Sequence, residues 1–490
     1  MHRREHVIVF AGAVALVLYA AFLIHNLSYA IGGPDTGSYF NEARTIAAGH
    51  MTRPVALVRT LRLDDSWLGF FMPLGFAPSP GASMHPIYPA GLPIHLAAAA
   101  FIGGWERAPF FVAPLAAVGC LVLIVAVARS LGLSLVLSMA AATVLAGLPP
   151  FLWHAVQPAS DVLATFWGLA TVWFALKARQ RPAMAVAAGI ALGIGAWVRP
   201  TNALLVFPLI LAVRLRLGLI ASAAAGALPF GVALMWWNTA LFGGWIRTGY
   251  GGVTDVLSWE GMRNAAPEHA AWLARFLTPL GFPGGLFVLA DRSVDVWTRW
   301  MLIVWFVPFY VFYSFYGFFD GWLCIRFLLP AIPALLIGAL LILRDLHRLA
   351  ARRYVKLSAV VAVLLVIWIV VTPLTWIART HLLVDLPNTE KHYPRFVVWA
   401  EQHLPKRAIV VSGVLSGPFL YYANRSIVRY DQLNDERFQI LRAYAGNAGL
   451  PWYAVVGDGE IDQEGLQQRF RGRWTIVDHL QTFTVYRLDS

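Results

Sequence analysis

The sequence predicts an α-helical polytopic membrane protein with a small α/β domain at its C-terminal end. Three observations carry that prediction. Hydrophobic residues make up 59% of the 490 and charged residues only 13%, against about 25% charged in a soluble domain. The apolar residues come in uncharged blocks long enough to cross a bilayer, which takes about 17–25 residues. After residue 385 the pattern changes to short strand-like runs between helix-like stretches.

The blocks Val7 to Ile24, Ala108 to Ala128 and Leu357 to Ile377 are the clearest. Others run at about 86–104, 131–148, 159–176, 183–198, 200–213, 217–242, 276–290, 299–317 and 327–343. The expected total is about 11–13 transmembrane helices. Twenty Trp and sixteen Tyr suit two interfacial belts. A net charge of +12 would point to nucleic acid in a soluble chain, but here the basic residues cluster in short loops between apolar blocks, as cytoplasmic loops require. Cys120 and Cys324 each lie inside an apolar block and form neither a disulfide framework nor a metal-ligand pattern.

Met1-His2-Arg3-Arg4 precedes the first block, and no small-residue cleavage pattern follows it. The first helix is therefore expected to stay, with its N-terminus in the cytoplasm. The basic loops Lys177 to Arg181, Arg214 to Arg216 and Arg344 to Lys356 mark the same side. The last block then delivers the C-terminal domain, 386–490, to the outside. About twelve segments give the wrong parity for an inside N-terminus and an outside C-terminus. The conflict lies upstream of Lys177, where one block does not cross or two are merged.

Residues 1–385 thus form a transmembrane domain, with a polar first outer loop at 28–84. Within that loop Thr36 to Gly49 has helical spacing, with Tyr39, Ala43, Ile46 and Ala47 on one side, and suits a helix at the membrane surface. Beyond 386, Asn388 to His403 reads as a helix. The runs 408–411, 427–430, 452–456, 474–477 and 483–486 read as strands.

Ionisable residues at the edge of a membrane are costly and suggest work. Asp35, His85, Asp161, Arg199 and Arg326 all fall at the expected outer ends of helices. Asp35 and Asp161 each precede a helix and could equally be caps. His85-Pro86 reads as a helix entry, with Pro in the first turn. Arg199 could snorkel, and Arg326 could do so or pair with Asp320. Taken together, a carboxylate can deprotonate an attacking hydroxyl, and Arg and His⁺ can hold a phosphate leaving group. That set suits group transfer from a phosphate-linked donor in the membrane.

In this order the residues resemble the GT-C glycosyltransferases, which include the protein O-mannosyltransferases and the aminoarabinose transferases acting on lipid A. The resemblance rests on Asp35 followed by Tyr39 and Ala43, His85-Pro86 followed by Tyr88, Ser160-Asp161-Val162, and Arg199-Pro200-Thr201. The stretch Asn238 to Tyr250 and the run Arg326-Phe327-Leu328-Leu329-Pro330 complete it. Many relatives carry two adjacent acids in the first loop, where this chain has Asp35-Thr36. The aminoarabinose transferases have Lys where this chain has His85.

The resemblance implies an inverting glycosyltransferase, moving a hexosyl or pentosyl group from a polyprenyl-phosphate sugar to an extracytoplasmic glycan, lipid or protein acceptor in the cell envelope. Asp35 and Asp161 would be the catalytic pair, Asp35 as base and Asp161 orienting the acceptor or sugar. His85, Arg199 and Arg326 would bind the phosphate, with Tyr39 and Tyr88 also lining the substrate site. The five ionisable residues would share one outer-facing cavity. No particular cofactor is implied, and a divalent cation stays open. The protein would be a multi-pass protein of the inner, plasma membrane, and the C-terminal domain would cover the site or select acceptors. The rivals are a transporter or lipid flippase, and a non-catalytic assembly protein. No repeated halves are visible, and the charges sit at one edge rather than at mid-depth.

The orientation is directly testable. Protease added to intact cells with a permeabilised outer membrane should remove the domain after Leu386. Protection of that domain would reverse the assigned orientation.

Overall fold

The computed structural model describes residues 2–317, 321–353, 360, 363, 367–368, 375–378, 382–425, 427–480 and 482–489. Most of the expected last span, 357–378, and Asp320 lie outside the described residues. The chain divides into two compact units. One comprises Met1–Leu27, Phe110–Arg247 and Gly251–Leu383; the other comprises Ser28–Pro109, Thr248–Tyr250 and Val384–Ser490. This division differs from the one drawn at 386, because the contacts group residues 28–109 with the C-terminal residues.

The first unit is helical because hydrocarbon offers no partner for a backbone N–H or C=O. Among the described residues five helices are long and apolar enough to cross a membrane. They are Glu5–His25, Ala108–Ser130, Ser160–Ala178, Leu217–Phe242 and Val296–Tyr316. Two bent pairs raise the number to seven. Leu135–Gly147 turns by 69° into Pro149–Ala155, and Gly321–Leu328 by 81° into Ile332–Leu349. Shorter apolar helices occupy Gly91–Gly103, Ala183–Val198 and Pro200–Ala212.

Three expected blocks therefore differ from simple spans. The 200–213 block is a 3-10 turn, Pro200–Leu205, running into Val206–Ala212. The 276–290 block is the end of an amphipathic helix, Trp259–Gly281, broken at Thr278 and followed by the 3-10 turn Gly284–Leu289. Pro279, Pro283, Gly284 and Gly285 withhold donors or side chains from a continuous helix there. The 86–104 block starts its helix only at Gly91. The block opens on Pro86, the last residue of a strand, and residues 87–90 are irregular, Pro89 favouring an extended residue before it.

Small residues bring the helices Ala183–Val198 and Leu217–Phe242 into backbone contact. A Cβ on Gly189 would meet the Ala223 carbonyl oxygen at 1.8 Å, and one on Gly226 would meet the Val186 carbonyl oxygen at 2.2 Å. Such close approach is how helices gain packing energy without a hydrophobic driving force.

The second unit holds two sheets. Strands β1 (Arg53–Pro54), β2 (Phe76–Ser79) and β3 (Ser83–Pro86) form a small antiparallel sheet in the order β1-β3-β2. Strands β4 (Ile409–Ser412), β5 (Ile427–Arg429), β6 (Trp452–Gly457), β7 (Trp474–Leu480) and β8 (Phe483–Leu488) form a five-stranded sheet in the order β5-β4-β6-β8-β7. Strand β4 is parallel to β5 and β6, and β8 is antiparallel to β6 and β7. All five expected strands are present, as is the helix over Asn388 to His403, which begins earlier at Leu382.

Alternation along β4 sends its side chains into two cores. Ile409 and Val411 join Val55, Val58, Trp67, Phe71 and Met84 of the first loop. Val410 joins Phe396, Val397 and Ala400 of the Leu382–His403 helix. One face of the C-terminal sheet is thus covered by residues 55–84.

The expected loop helix is present as α2, Pro34–Ala47. Its burial is wider than the predicted stripe, for Thr36 to Ala43 are buried continuously while Ala47 is exposed. Glycine makes this packing feasible. Gly37 and Gly417 face each other with a Cβ-to-Cα clearance of 3.1 Å, and Gly75, at φ +83°, packs on Ser38.

The glycine contact between the two membrane helices gives a stability test. Gly226→Ala should cost about 1–3 kcal/mol, the usual cost of overpacking, and lower the melting temperature in detergent. On the same helix Gly231 has open space around it. There Gly231→Ala should be neutral or gain up to about 1 kcal/mol. Equal melting temperatures for the two variants would refute the backbone contact.

Candidate functional site

The predicted site residues fall into two groups, one in each unit. In the second unit the first group is built on the start of α2. Gly33 is its N-cap and makes no side-chain cap bond, Pro34 occupies the first turn, and Asp35 follows. Asp35 is therefore not the cap residue. Its carboxylate sits in the first turn, where the helix dipole favours negative charge, and accepts a hydrogen bond from the Tyr88 hydroxyl at 2.8 Å. The Tyr88 ring lies 5.1 Å from that of Tyr39 and 6.0 Å from that of Tyr250. A half-buried carboxylate is thus bonded to a tyrosine whose ring packs on two others.

His85 is placed differently from the expectation of a helix entry. It lies on β3, opposite Ala77 of β2, and its Nδ1 is 2.7 Å from the Ser79 hydroxyl. Burial lowers its pKa, against a smaller raising effect from a hydrogen bond to the Pro78 backbone. The imidazole is therefore shifted toward its neutral form, which weakens it as a counter-charge for phosphate.

In the first unit the second group centres on Asp161, in the first turn of the helix Ser160–Ala178. The N-cap there is Ala159, so Asp161 is not a cap either. Arg199 donates from Nη2 to Asp161 Oδ1 at 2.7 Å and to the Ser160 hydroxyl at 3.2 Å. The Nδ1 of His154 lies 3.7 Å from the other Asp161 oxygen. Arg199 and Arg326 both pack on the Phe327 ring, at 5.3 and 4.9 Å. Nearby, the hydroxyls of Thr201 and Tyr313 are 2.7 Å apart.

Asp161 is 2% exposed and Arg199 9%. A buried carboxylate is tolerable only with a paired cation, and here the pairing engages its lone pairs. Among the described residues two guanidiniums and one carboxylate meet here, an arrangement that suits an anion. The suggested partner of Arg326, Asp320, lies outside the described residues.

Three ionisable residues near these groups escaped the sequence reading of the site. His154 lies seven residues before Asp161, between proline-bounded turns, with no periodic signal to single it out. Glu42 is fully buried on α2, and neither carboxylate oxygen has a hydrogen-bond partner among the described residues. Burial pushes its pKa well above the carboxylate range. Its position seven residues after Asp35, on the same side of the helix, was the available signal. Glu390 is the third. Burial pushes its carboxyl up to about 7, against the lowering effect of a hydrogen bond from the Gly32 backbone.

For a divalent cation the donor set is poor. Thr36 stands beside Asp35, and among the described residues no three His, Cys, Asp or Glu side chains are gathered to hold a metal.

Neither a family model nor a curated relative matches the sequence. Solved structures share its fold. ArnT from Cupriavidus metallidurans, in a crystal structure bound to undecaprenyl phosphate, has a TM-score of 0.58 and 14% identity, covering 97% of this chain and 97% of that one. An oligosaccharyltransferase from Archaeoglobus fulgidus has a TM-score of 0.54 and 13% identity, covering 91% of this chain and 69% of that one. The mycobacterial arabinofuranosyltransferase AftD has a TM-score of 0.53 and 13% identity, covering 99% of this chain and 40% of that one. All three are GT-C glycosyltransferases, and the chain has the GT-C fold.

Proposed function

We propose that this chain is an inverting glycosyltransferase that moves a hexosyl or pentosyl group from a polyprenyl-phosphate donor to a glycan, lipid or protein acceptor outside the cytoplasm. The observation that carries this reading is the Asp35–Tyr88 pair at the start of α2, in a fold shared with a protein bound to undecaprenyl phosphate. On this reading the protein lies in the inner membrane with its N-terminus inside and the 386–490 region outside.

Asp35 takes the proton from the acceptor hydroxyl as its oxygen attacks the anomeric carbon. The bond from that carbon to the phosphate oxygen breaks, and its electron pair leaves with polyprenyl phosphate. Displacement from the opposite face inverts the anomeric centre. Tyr88 fixes the Asp35 carboxylate by its hydrogen bond, and its partly exposed ring, backed by that of the buried Tyr39, offers flat apolar surface to a sugar. Arg199 and Arg326 hold the phosphate and stabilise its growing charge. Asp161 is already paired with Arg199, so it serves to orient that guanidinium and, through it, the sugar phosphate. His85 contributes little charge and secures the β2–β3 hairpin that leads to Tyr88.

Transfer from a polyprenyl-phosphate sugar by purified protein in detergent tests the assignment. Asp35→Asn keeps shape but loses proton affinity, so turnover should fall by about 10² or more, with donor binding nearly unchanged. Near-normal turnover would remove Asp35 from the mechanism. Arg326→Ala should instead weaken donor binding as well as turnover. An unaltered donor affinity would remove it from the phosphate site. Arg199→Ala is a poorer probe, because it strands a buried carboxylate at a cost of about 3–5 kcal/mol and should appear first as lost stability.

A further inference from the structure

The backbone leading into Asp35 is held by residues nearly 400 positions away in sequence. The Ile31 N–H donates to the Tyr422 hydroxyl at 2.8 Å. The Glu390 carboxylate lies so close to the next residue, Gly32, that a Cβ there would be 1.9 Å from Glu390 Oε2, and the Gly32 backbone lowers the pKa of that carboxyl. Two consecutive residues, three and four before Asp35, are thus held by side chains of the C-terminal region.

The chain after Asp35 is held as well. Asn41, fully buried, donates through Nδ2 to the carbonyls of Gly37 at 2.8 Å and Gly417 at 2.9 Å. A Cβ on Gly37 or on Gly417 would lie 3.1 Å from the Cα of the other, a tight fit. The Leu74 N–H donates to the Ser416 hydroxyl at 3.1 Å, and the Leu74 carbonyl accepts from the Ser38 hydroxyl at 2.6 Å. One turn further on, Arg44 donates to the Tyr421 carbonyl at 2.7 Å and lies 3.5 Å over its ring.

We propose that the C-terminal α/β domain is the positioning element for Asp35, with Glu390 and Tyr422 as positioning residues that clamp the Ile31–Gly32 backbone. This rests on the assignment of Asp35 as the base and extends it. Asp35 is bracketed on both sides along the chain by bonds to residues 384–490. Neither Glu390 nor Tyr422 needs to touch a substrate for this role. A general base must meet its proton within hydrogen-bond reach. A displacement of about 1 Å at a reacting group can cost about 10²-fold in rate, so a latch on the preceding backbone bears directly on turnover.

The test uses the full-length protein at pH 8, where Glu390 is mostly ionised, with Tyr422→Phe, Glu390→Ala and Glu390→Gln. Turnover and donor KM are read alongside amide exchange over residues 31–41. Tyr422→Phe removes one hydroxyl from a partly exposed ring and should leave the fold intact. Glu390→Ala should lower kcat by about tenfold or more, with donor KM within about twofold. Glu390→Gln should stay near the parent, because its amide oxygen still accepts from Gly32. Exchange at Ile31 should speed up in Tyr422→Phe, and at Gly32 in Glu390→Ala but not Glu390→Gln.

Unchanged kcat in folded Glu390→Ala and Tyr422→Phe would overturn the proposal. So would a Glu390→Gln as impaired as Glu390→Ala, since that would require the carboxylate's charge rather than its hold. A parent protein inactive with every lipid-linked sugar offered would count against the glycosyltransferase assignment. Exchange then decides the latch alone: faster exchange at Ile31 and Gly32 supports it, and unchanged exchange overturns it.

Discussion

A polar group buried without a partner costs several kcal/mol in hydrocarbon, and each unit organises its site around that cost. In the first unit it makes the backbone helical and forces side chains to serve carbonyls where helices break. Trp305 donates to the Pro330 carbonyl just before the helix that starts at Ile332. Asn202, in the turn after Arg199, donates to the Ala164 carbonyl. The same cost makes Asp161 tolerable only with Arg199 against it. Positive charge therefore has to be placed near Asp161, and the phosphate site proposed above is built around that pairing.

In the second unit the cost is met across sequence-distant segments. The loop before α2 has backbone donors that no regular element uses, and Tyr422 and Glu390 supply their acceptors. The Gly33-Pro34 pair before Asp35 supplies no capping side chain, so Asp35 is not spent on the helix end. Its hydrogen bond goes to Tyr88 instead. Glu42 stands apart, buried on the same helix with neither carboxylate oxygen bonded among the described residues, and burial raises its pKa well above the carboxylate range.

The carboxylates thus divide by environment. Asp161 is committed to a cation, while Asp35 is half-buried and bound by a neutral hydroxyl. The proposed division, in which one acid orients and the other accepts a proton, rests on those surroundings rather than on residue type, which is the same in both.

Composition and period alone determined the membrane class, the long spans, the five C-terminal strands and the α2 helix. These depend on local patterns: uninterrupted apolar length, alternation, and Gly-Pro punctuation. The proposed site residues Asp35, Asp161, Arg199 and Arg326 could be singled out too, because a charge beside a long apolar block is conspicuous. Tertiary structure alone decided the rest. His85 went to a strand because residues 83–86 pair with β2, a pairing that no local period announces. Residues 28–109 joined the C-terminal sheet because Trp67, Phe71 and Met84 needed an apolar face to cover. Tyr422 and Glu390 meet Ile31 and Gly32 only after some 360–390 residues of chain have folded. Hydrogen bonds between segments that far apart leave no trace in local periodicity.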